Sequence, residues 1–458
     1  MVETLTILNE SGVPDVVSPL CGLFGLAERL PNALFVVAGT HSDVHLAQSL
    51  SGPLAGTPAT RPAGNGSGVH PRVVFVALQP DEEPNGGALA SRVVEVATGF
   101  GTGLVLLVAC RSVGLLGVDA GFEAVLAERR LGLPVRAVFP DPDTGGFGVL
   151  GTDLEDGAIR ALVDLCPQGI PEAEEEVYRP KEGYHPKENL FGKFSFRSRP
   201  GRRVPPGREA HQQVVVVGAL PDSQEELASE LARIGVKVAG VVPSSEASWL
   251  PAIDEGTVVA VADPYLVGAC RAAEERGATV VRTLLPIGVD GTARFIQDVA
   301  ASAGVRTNEA DRARQVWEGL EPLRNRIRGR RIFFTGDSGL EIPLARFLVG
   351  AGAVVLEVGT PRLEKRFLAA ELAALGEDVD VVESPEWRAQ LDRIESARPD
   401  VVVASPGLYV PLVARGHLCR SSLDFLSLGI HGYGGTRRVL KLFVRTFERA
   451  ERLDALNL

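Results

Sequence analysis

Short runs of consecutive Val, Ile, Leu and Phe recur along the chain, with helical stretches between them. The clearest runs cover 34–37, 73–78 and 104–109, then 214–217, 236–242 and 258–262, then 332–334, 353–358 and 401–404. They are continuous rather than alternating, which is the pattern of parallel strands covered on both faces. Helical stretches at 225–234 and 340–349 follow strands within one short turn. That is βα connectivity, and it implies right-handed crossovers. The expected fold class is α/β, with three Rossmann-like, doubly wound parallel-sheet modules.

Breaks in the pattern suggest where the modules part. Residues 167–212 are rich in Pro, Gly and charge and carry no period, so they read as a linker or external arm. A strand-turn-helix unit starts at Arg331, after a charged helix. The expected division is a Rossmann-like domain at 1–166, the arm at 167–212, a second such domain at 213–328, and a third with C-terminal helices at 329–458. Residues 53–68, rich in Gly, Pro, Thr and Ser, read as a loop.

A chain of 458 residues is long enough for three modules of about 150 residues each. A net charge of -11 offers no general attraction to nucleic acid or anionic lipid. No apolar run reaches the roughly 18 residues of a bilayer span, and MVETLTILNE has no signal-peptide character. A cytoplasmic location is expected. The five cysteines, Cys21, Cys110, Cys166, Cys270 and Cys419, are scattered without disulfide-framework spacing.

Ligands of open α/β sheets bind beyond the carboxyl ends of strands. In this chain those positions hold GTHSDVH with Asp43 after the first run, Cys110 after the third, GALPDS after 214–217, and TGDSGLEIP after 332–334. No GxGxxG occupies a βα turn, since GFGTG at 99–103 precedes a strand, and a dinucleotide is disfavoured. GxxxxGK[ST], GxSxG and paired-cysteine zinc spacings are also missing. Any ATP hydrolysis must then belong to another protein.

Several segments occur in one order: PLCGL, FVVAGTHSDVHLAQ, LLVACRS, VVVGALPDS, RGATVVRTLLPIGVDGT, DSGLEIPLARFL, and ARPDVVVASPGL followed by PLVARGH. The series resembles the N-subunit family of light-independent (dark-operative) protochlorophyllide reductase, a nitrogenase component 1-like family. The resemblance covers nearly the whole chain, and its strongest pieces are DSGLEIPLARFL and VGALPD. It implies an ATP-dependent oxidoreductase of chlorophyll and bacteriochlorophyll biosynthesis. It further implies a heterotetramer with a B-type subunit, a [4Fe-4S] cluster shared with that partner, a separate ATP-hydrolysing iron protein, and a tetrapyrrole substrate. The family's N subunit supplies three cysteine ligands. Two matching positions are Cys21 and Cys110, whereas the third is Asp43. A carboxylate is a harder ligand than a thiolate and changes charge and redox potential. The expected metal set is therefore Cys21, Asp43 and Cys110, completed by a partner. Leu23 and Phe24, beside Cys21, are candidate walls of an apolar substrate pocket. The catalytic acid is not identified.

Each feature also has a plainer explanation. Ser42 or Asp43 could cap a helix starting near Val44. His41 and His45 could be alternative ligands, or loop histidines facing solvent. Asp337, Ser338 and Glu341 have the spacing of a cap and a first-turn acid. Glu155, Asp156, His417 and His431 read as solvated, and Cys166, Cys270 and Cys419 as packing residues. The basic tract 197–208 reads as solvated linker. Rival functions are a related reductase with another substrate, a scaffold subunit that has lost its cluster, and a small-metabolite binder. The last leaves Cys21 and Cys110 unexplained.

Overall fold

The structure, a computed structural model, describes residues 7–10, 12, 23, 26–27, 29–30, 32–45, 72–79, 86–138, 153–168, 212–220, 223–243, 250–336, 338–376, 378–426 and 428–455. Cys21, Phe24, Asp337, the loop at 53–68 and most of the expected arm (169–211) lie outside the described residues.

Fourteen described strands form three parallel sheets. β1 is Ile7–Asn9. β2 (Ala33–Thr40), β3 (Val73–Leu78), β4 (Leu104–Ala109) and β5 (Val135–Val138) make the first sheet, in the order β3-β2-β4-β5. β6 (Gln213–Val217), β7 (Val238–Val242), β8 (Thr257–Val261) and β9 (Thr279–Val281) make the second, β7-β6-β8-β9. β10 (Arg331–Phe334), β11 (Val354–Thr360), β12 (Asp380–Glu383), β13 (Val401–Ala404) and β14 (Cys419–Ser421) join β1 in the third, β1-β12-β11-β10-β13-β14. The first two sheets share one topology. Every residue of β4 and β8 is buried, which is what a continuous apolar run buys when helices cover both faces.

β1, β5, β9, β12 and β14 escape the hydrophobic pattern. Each has three or four residues, and all but β12 sit at sheet edges, where one neighbour suffices. β1 departs from the division expected for 1–166, because it pairs with β12 of the third sheet, from Ile7↔Val381 to Asn9↔Glu383. Its residues are exposed, so no core burial signals its partner. Arg393 holds the following residue, donating from Nη1 to Glu10 Oε1 at 2.6 Å.

Alternate residues of β6 enter different cores. Val215 and Val217 join the apolar cluster of the first sheet, while Val214 and Val216 join one containing Ile332 and Phe334 of the third. The second sheet is thus the middle of a continuous stack. Two motifs lock its far side. Gly288 has φ +78, and a Cβ there would stand 2.4 Å from Phe347 Cδ2, so only glycine fits. Beside it, buried Arg346 pairs with fully buried Glu371 and donates from Nη2 to the Ile287 carbonyl at 2.8 Å. The segments RTLLPIGVDGT and DSGLEIPLARFL therefore meet as a packed joint. In the latter, Glu341 Oε1 accepts the Ser338 backbone N–H at 2.6 Å and its hydroxyl at 2.8 Å, which is a structural turn contact. The C-terminal helix Gly432–Ala455 returns to pack on Gly288–Ser302 and Ala310–Ile327. Among the described residues, no helix is long and apolar enough to cross a membrane.

Candidate metal centre at the tip of the first sheet

In an open parallel sheet the crevice opens where strand order reverses, which in the first sheet falls between β2 and β4. The two strands run in register to Ala38↔Ala109, and the Cys110 N–H continues the ladder to the Ala38 carbonyl at 2.8 Å. Cys110 thereby begins the short helix Arg111–Leu115 beside the end of β2. Residues 41–45 turn into a helix immediately after that end.

This geometry brings Asp43 and Cys110 together across Gly39. A Cβ on Gly39 would lie 3.0 Å from both Asp43 Oδ2 and Cys110 Sγ, so at most twice that distance separates the two atoms. It would also lie 2.9 Å from Asp43 Cβ, and any larger residue would push the pair apart. Gly39 stands inside the AGTHSDVH segment, but nothing local in the sequence reveals what it faces.

Asp43 also shapes the backbone. Its Oδ2 accepts the Thr40 N–H at 2.9 Å and the Thr40 hydroxyl at 2.7 Å, and the Asp43 N–H points back to Thr40 Oγ1 at 3.4 Å. Thr40 is thus the cap and Asp43 its reciprocating partner, with the helix starting at 41 rather than near Val44. The T-x-x-D spacing could have revealed this. Ser112 adds a third hydrogen bond to Oδ2, one that sequence reading did not anticipate. Oδ1 accepts none from the described residues.

Burial raises the Asp43 pKa, but the hydrogen bonds from Ser112 and Thr40 outweigh it, and the net shift is downward. Burial pushes the Cys110 thiol up to about 12, and the Asp43 charge adds to this. Such a thiol is a poor nucleophile. A nearby metal ion reverses that balance, because a coordinating thiol gives up its proton and the carboxylate's charge then attracts rather than opposes. A sulfur donor with a carboxylate beside it fits an iron-sulfur group better than it fits covalent catalysis.

Among the described residues no group of three or more His, Cys, Asp or Glu is arranged to hold a metal. The expected third donor, Cys21, lies outside the described residues, as does Phe24. Leu23 has no exposed surface and packs in the first core, so its side chain is a packing residue here. His41 and His45 are exposed, and His41 Nε2 lies 2.8 Å from Gln79 Nε2. Cys166, Cys270 and Cys419 are buried and free, and burial pushes each to about 12.

Four expectations of solvation are corrected, three of them at the corresponding tip of the second sheet, between β6 and β8, and one, His417, beside β14 of the third sheet. Asp156 is 7% exposed and accepts the Gly268 and Ala269 N–H groups at 2.7 and 2.8 Å, holding the start of helix Val267–Glu275. Glu155 pairs with buried Arg29, whose Nη1 donates to the Ala219 carbonyl at 3.4 Å. His431 is fully buried; its backbone N–H donates to Ser223 Oγ at 3.1 Å and its ring Nδ1 accepts the Leu220 N–H at 3.4 Å. Burial, helped by the Arg29 charge, lowers its pKa to about 3. His417 is largely buried, 3.3 Å from Glu395. Glu155, Asp156 and His431 lie where separate modules meet, which local sequence cannot show.

The family model of nitrogenase component 1-type oxidoreductases matches residues 88–448. The light-independent protochlorophyllide reductase subunit N of Heliobacterium modesticaldum is 33% identical over 451 residues, covering 98% of this chain and 97% of that one. Its counterpart from a Roseiflexus species is 31% identical over 455 residues, covering 98% and 96%. A solved structure, nitrogenase Cp1 at pH 6.5, superposes with a TM-score of 0.67 at 13% identity, covering 97% of this chain and 94% of that one, a likeness of fold. The chain therefore belongs to the nitrogenase component 1-type oxidoreductases, within the family of light-independent protochlorophyllide reductase N subunits.

Proposed function

We propose that this chain is the N-type subunit of a cytoplasmic, nitrogenase-like, ATP-dependent ferredoxin:protochlorophyllide reductase of light-independent chlorophyll or bacteriochlorophyll biosynthesis. It acts in a heterotetramer with a B-type subunit, and a separate iron protein hydrolyses ATP. The observation that carries this reading is the convergence of Asp43 and Cys110 over Gly39 in a chain that matches N subunits along almost its full length.

Cys21, Asp43 and Cys110 would hold a [4Fe-4S] cluster, with the partner subunit supplying a fourth ligand. When bound, the cluster supplies electrons one at a time, and reduction of one ring double bond of the tetrapyrrole consumes two electrons and two protons. This chain's residues do the positioning. β2 and β4 bring the ligand segments side by side, Thr40 and Ser112 hold the Asp43 carboxylate, and the buried run of β4 keeps water from the inner side of Cys110.

Iron and acid-labile sulfide in the complex co-purified under anoxia test the reading, with a Cys21→Ser variant alongside. The wild type is expected to contain both, to lose them on Cys21→Ser, and to reduce protochlorophyllide when given ATP and the iron protein. A wild-type complex without iron overturns the cluster assignment and leaves a scaffold role. One residue favours a second reading: Asp43 stands where the family pattern has cysteine, which suits a related reductase with another substrate. Iron present without protochlorophyllide turnover would select it.

A further inference from the structure

We propose that Ser112 is a positioning residue for the Asp43 ligand, holding Oδ2 so that Oδ1 is the oxygen offered to iron. This rests on the reading of Asp43 as a ligand given above.

The two oxygens of a free carboxylate are equivalent, and the terminal torsion of an aspartate is broad. In this site the equivalence is broken. Oδ2 takes the Thr40 N–H at 2.9 Å, the Thr40 hydroxyl at 2.7 Å and the Ser112 hydroxyl, which fills its accepting capacity. Oδ1 takes nothing from the described residues.

The origin of the donors matters as much as their number. Thr40 ends β2, whereas Ser112 lies in the helix that Cys110 begins. The Ser112 oxygen also lies 3.3 Å from the Thr40 N–H, so one hydroxyl ties the segment bearing Asp43 to the segment bearing Cys110. The cap explains the Thr40 contacts, but a helix start needs no donor from another strand. A hydrogen bond to an anionic ligand withdraws charge from it and favours the reduced, more negative cluster. Removing the hydroxyl should therefore lower the reduction potential.

The test is an EPR-monitored redox titration of the co-purified complex, compared at equal iron content. Ser112→Ala is expected to shift the midpoint to lower potential, and Ser112→Thr to restore it. In an Asp43→Cys background the Ser112→Ala change should leave the midpoint where it was, since the carboxylate through which the hydroxyl acts is gone. An unmoved potential in Ser112→Ala with the cluster present overturns the proposal, as does an equal shift in the Asp43→Cys background. Should Ser112→Ala fail to fold, Thr40→Val removes another donor to Oδ2, and its midpoint must move the same way. A wild-type complex without iron would remove the ligand reading itself and this inference with it, an outcome distinct from an intact cluster indifferent to Ser112.

Discussion

The tips of the first and second sheets are the same place in the same topology, and different side chains stand at them. Both sheets reverse strand order between their first and third strands in sequence. At the first tip, Oδ2 of half-buried Asp43 stands beside Cys110, and its Oδ1 accepts no hydrogen bond from the described residues. At the second, Arg29 from the first module bonds the Ala219 carbonyl and His431 from the C-terminal segment accepts the Leu220 N–H, with half-buried Asp263 under the charges of Glu155 and Arg29. A topological switch point is thus an opportunity that the fold provides. Whether it becomes a ligand site depends on what the rest of the chain places over it.

Four measurements can break or sharpen the contrast. The largest effect is expected from Cys110→Ala, which should remove all iron from the complex while lowering stability by only about 1 kcal/mol for the lost sulfur contacts. Iron analysis beside circular dichroism checks this; full iron occupancy would mean that the first tip is packing, like the second. Arg29→Met should do the reverse. Removing the cation from a buried pair and stranding Glu155 costs about 3 kcal/mol in the denaturation midpoint, with iron per complex unchanged.

A pH experiment separates the tips further. His431 is held near 3, well below its ordinary 6.5, so the unfolded chain takes up that proton first and this group subtracts stability as pH falls below about 6.5. Asp263 acts in the opposite sense. Burial, then the Glu155 charge, raises it to about 7, so its contribution is lost as pH rises through that value and recovered on acidification. The two largely offset each other in the wild type. His431→Gln should therefore gain about 2 kcal/mol relative to the wild type between pH 6.5 and 5, read from urea midpoints at both values. Parallel pH profiles would show that His431 is not the buried neutral group described. The smallest effect separates the two roles of Asp43. Asp43→Asn keeps an acceptor for the Thr40 N–H and Asp43→Ala does not, so their stabilities should differ by about 1 kcal/mol, while both should alter the EPR signal of the proposed cluster.

The helix-start role of Asp43, as the reciprocating partner of Thr40, and its proposed ligand role do not compete, because the described helix-start contacts to its carboxylate all fall on Oδ2. Sequence reading posed them as rivals since it assigns a role to a residue, whereas hydrogen bonds are made by atoms. His431 and Asp156 mislead for a related reason. Polar residues outside a strand or apolar helix face read as solvated, and only contact with another module reverses that.

What the chain determines by itself is local. Continuous apolar runs, covered on both faces, settle that β2, β4, β6 and β8 are interior parallel strands, and the ordered motifs settle the family. Tertiary structure decided the rest: that β1 crosses to the third sheet, that GVDGT and LARFL interlock through Gly288 and Phe347, and that Gly39 lets a thiol and a carboxylate meet. Burial of an apolar run is a property of the run, so composition reveals it. The meeting of two side chains distant in sequence depends on strand order and register, which no short stretch of residues encodes.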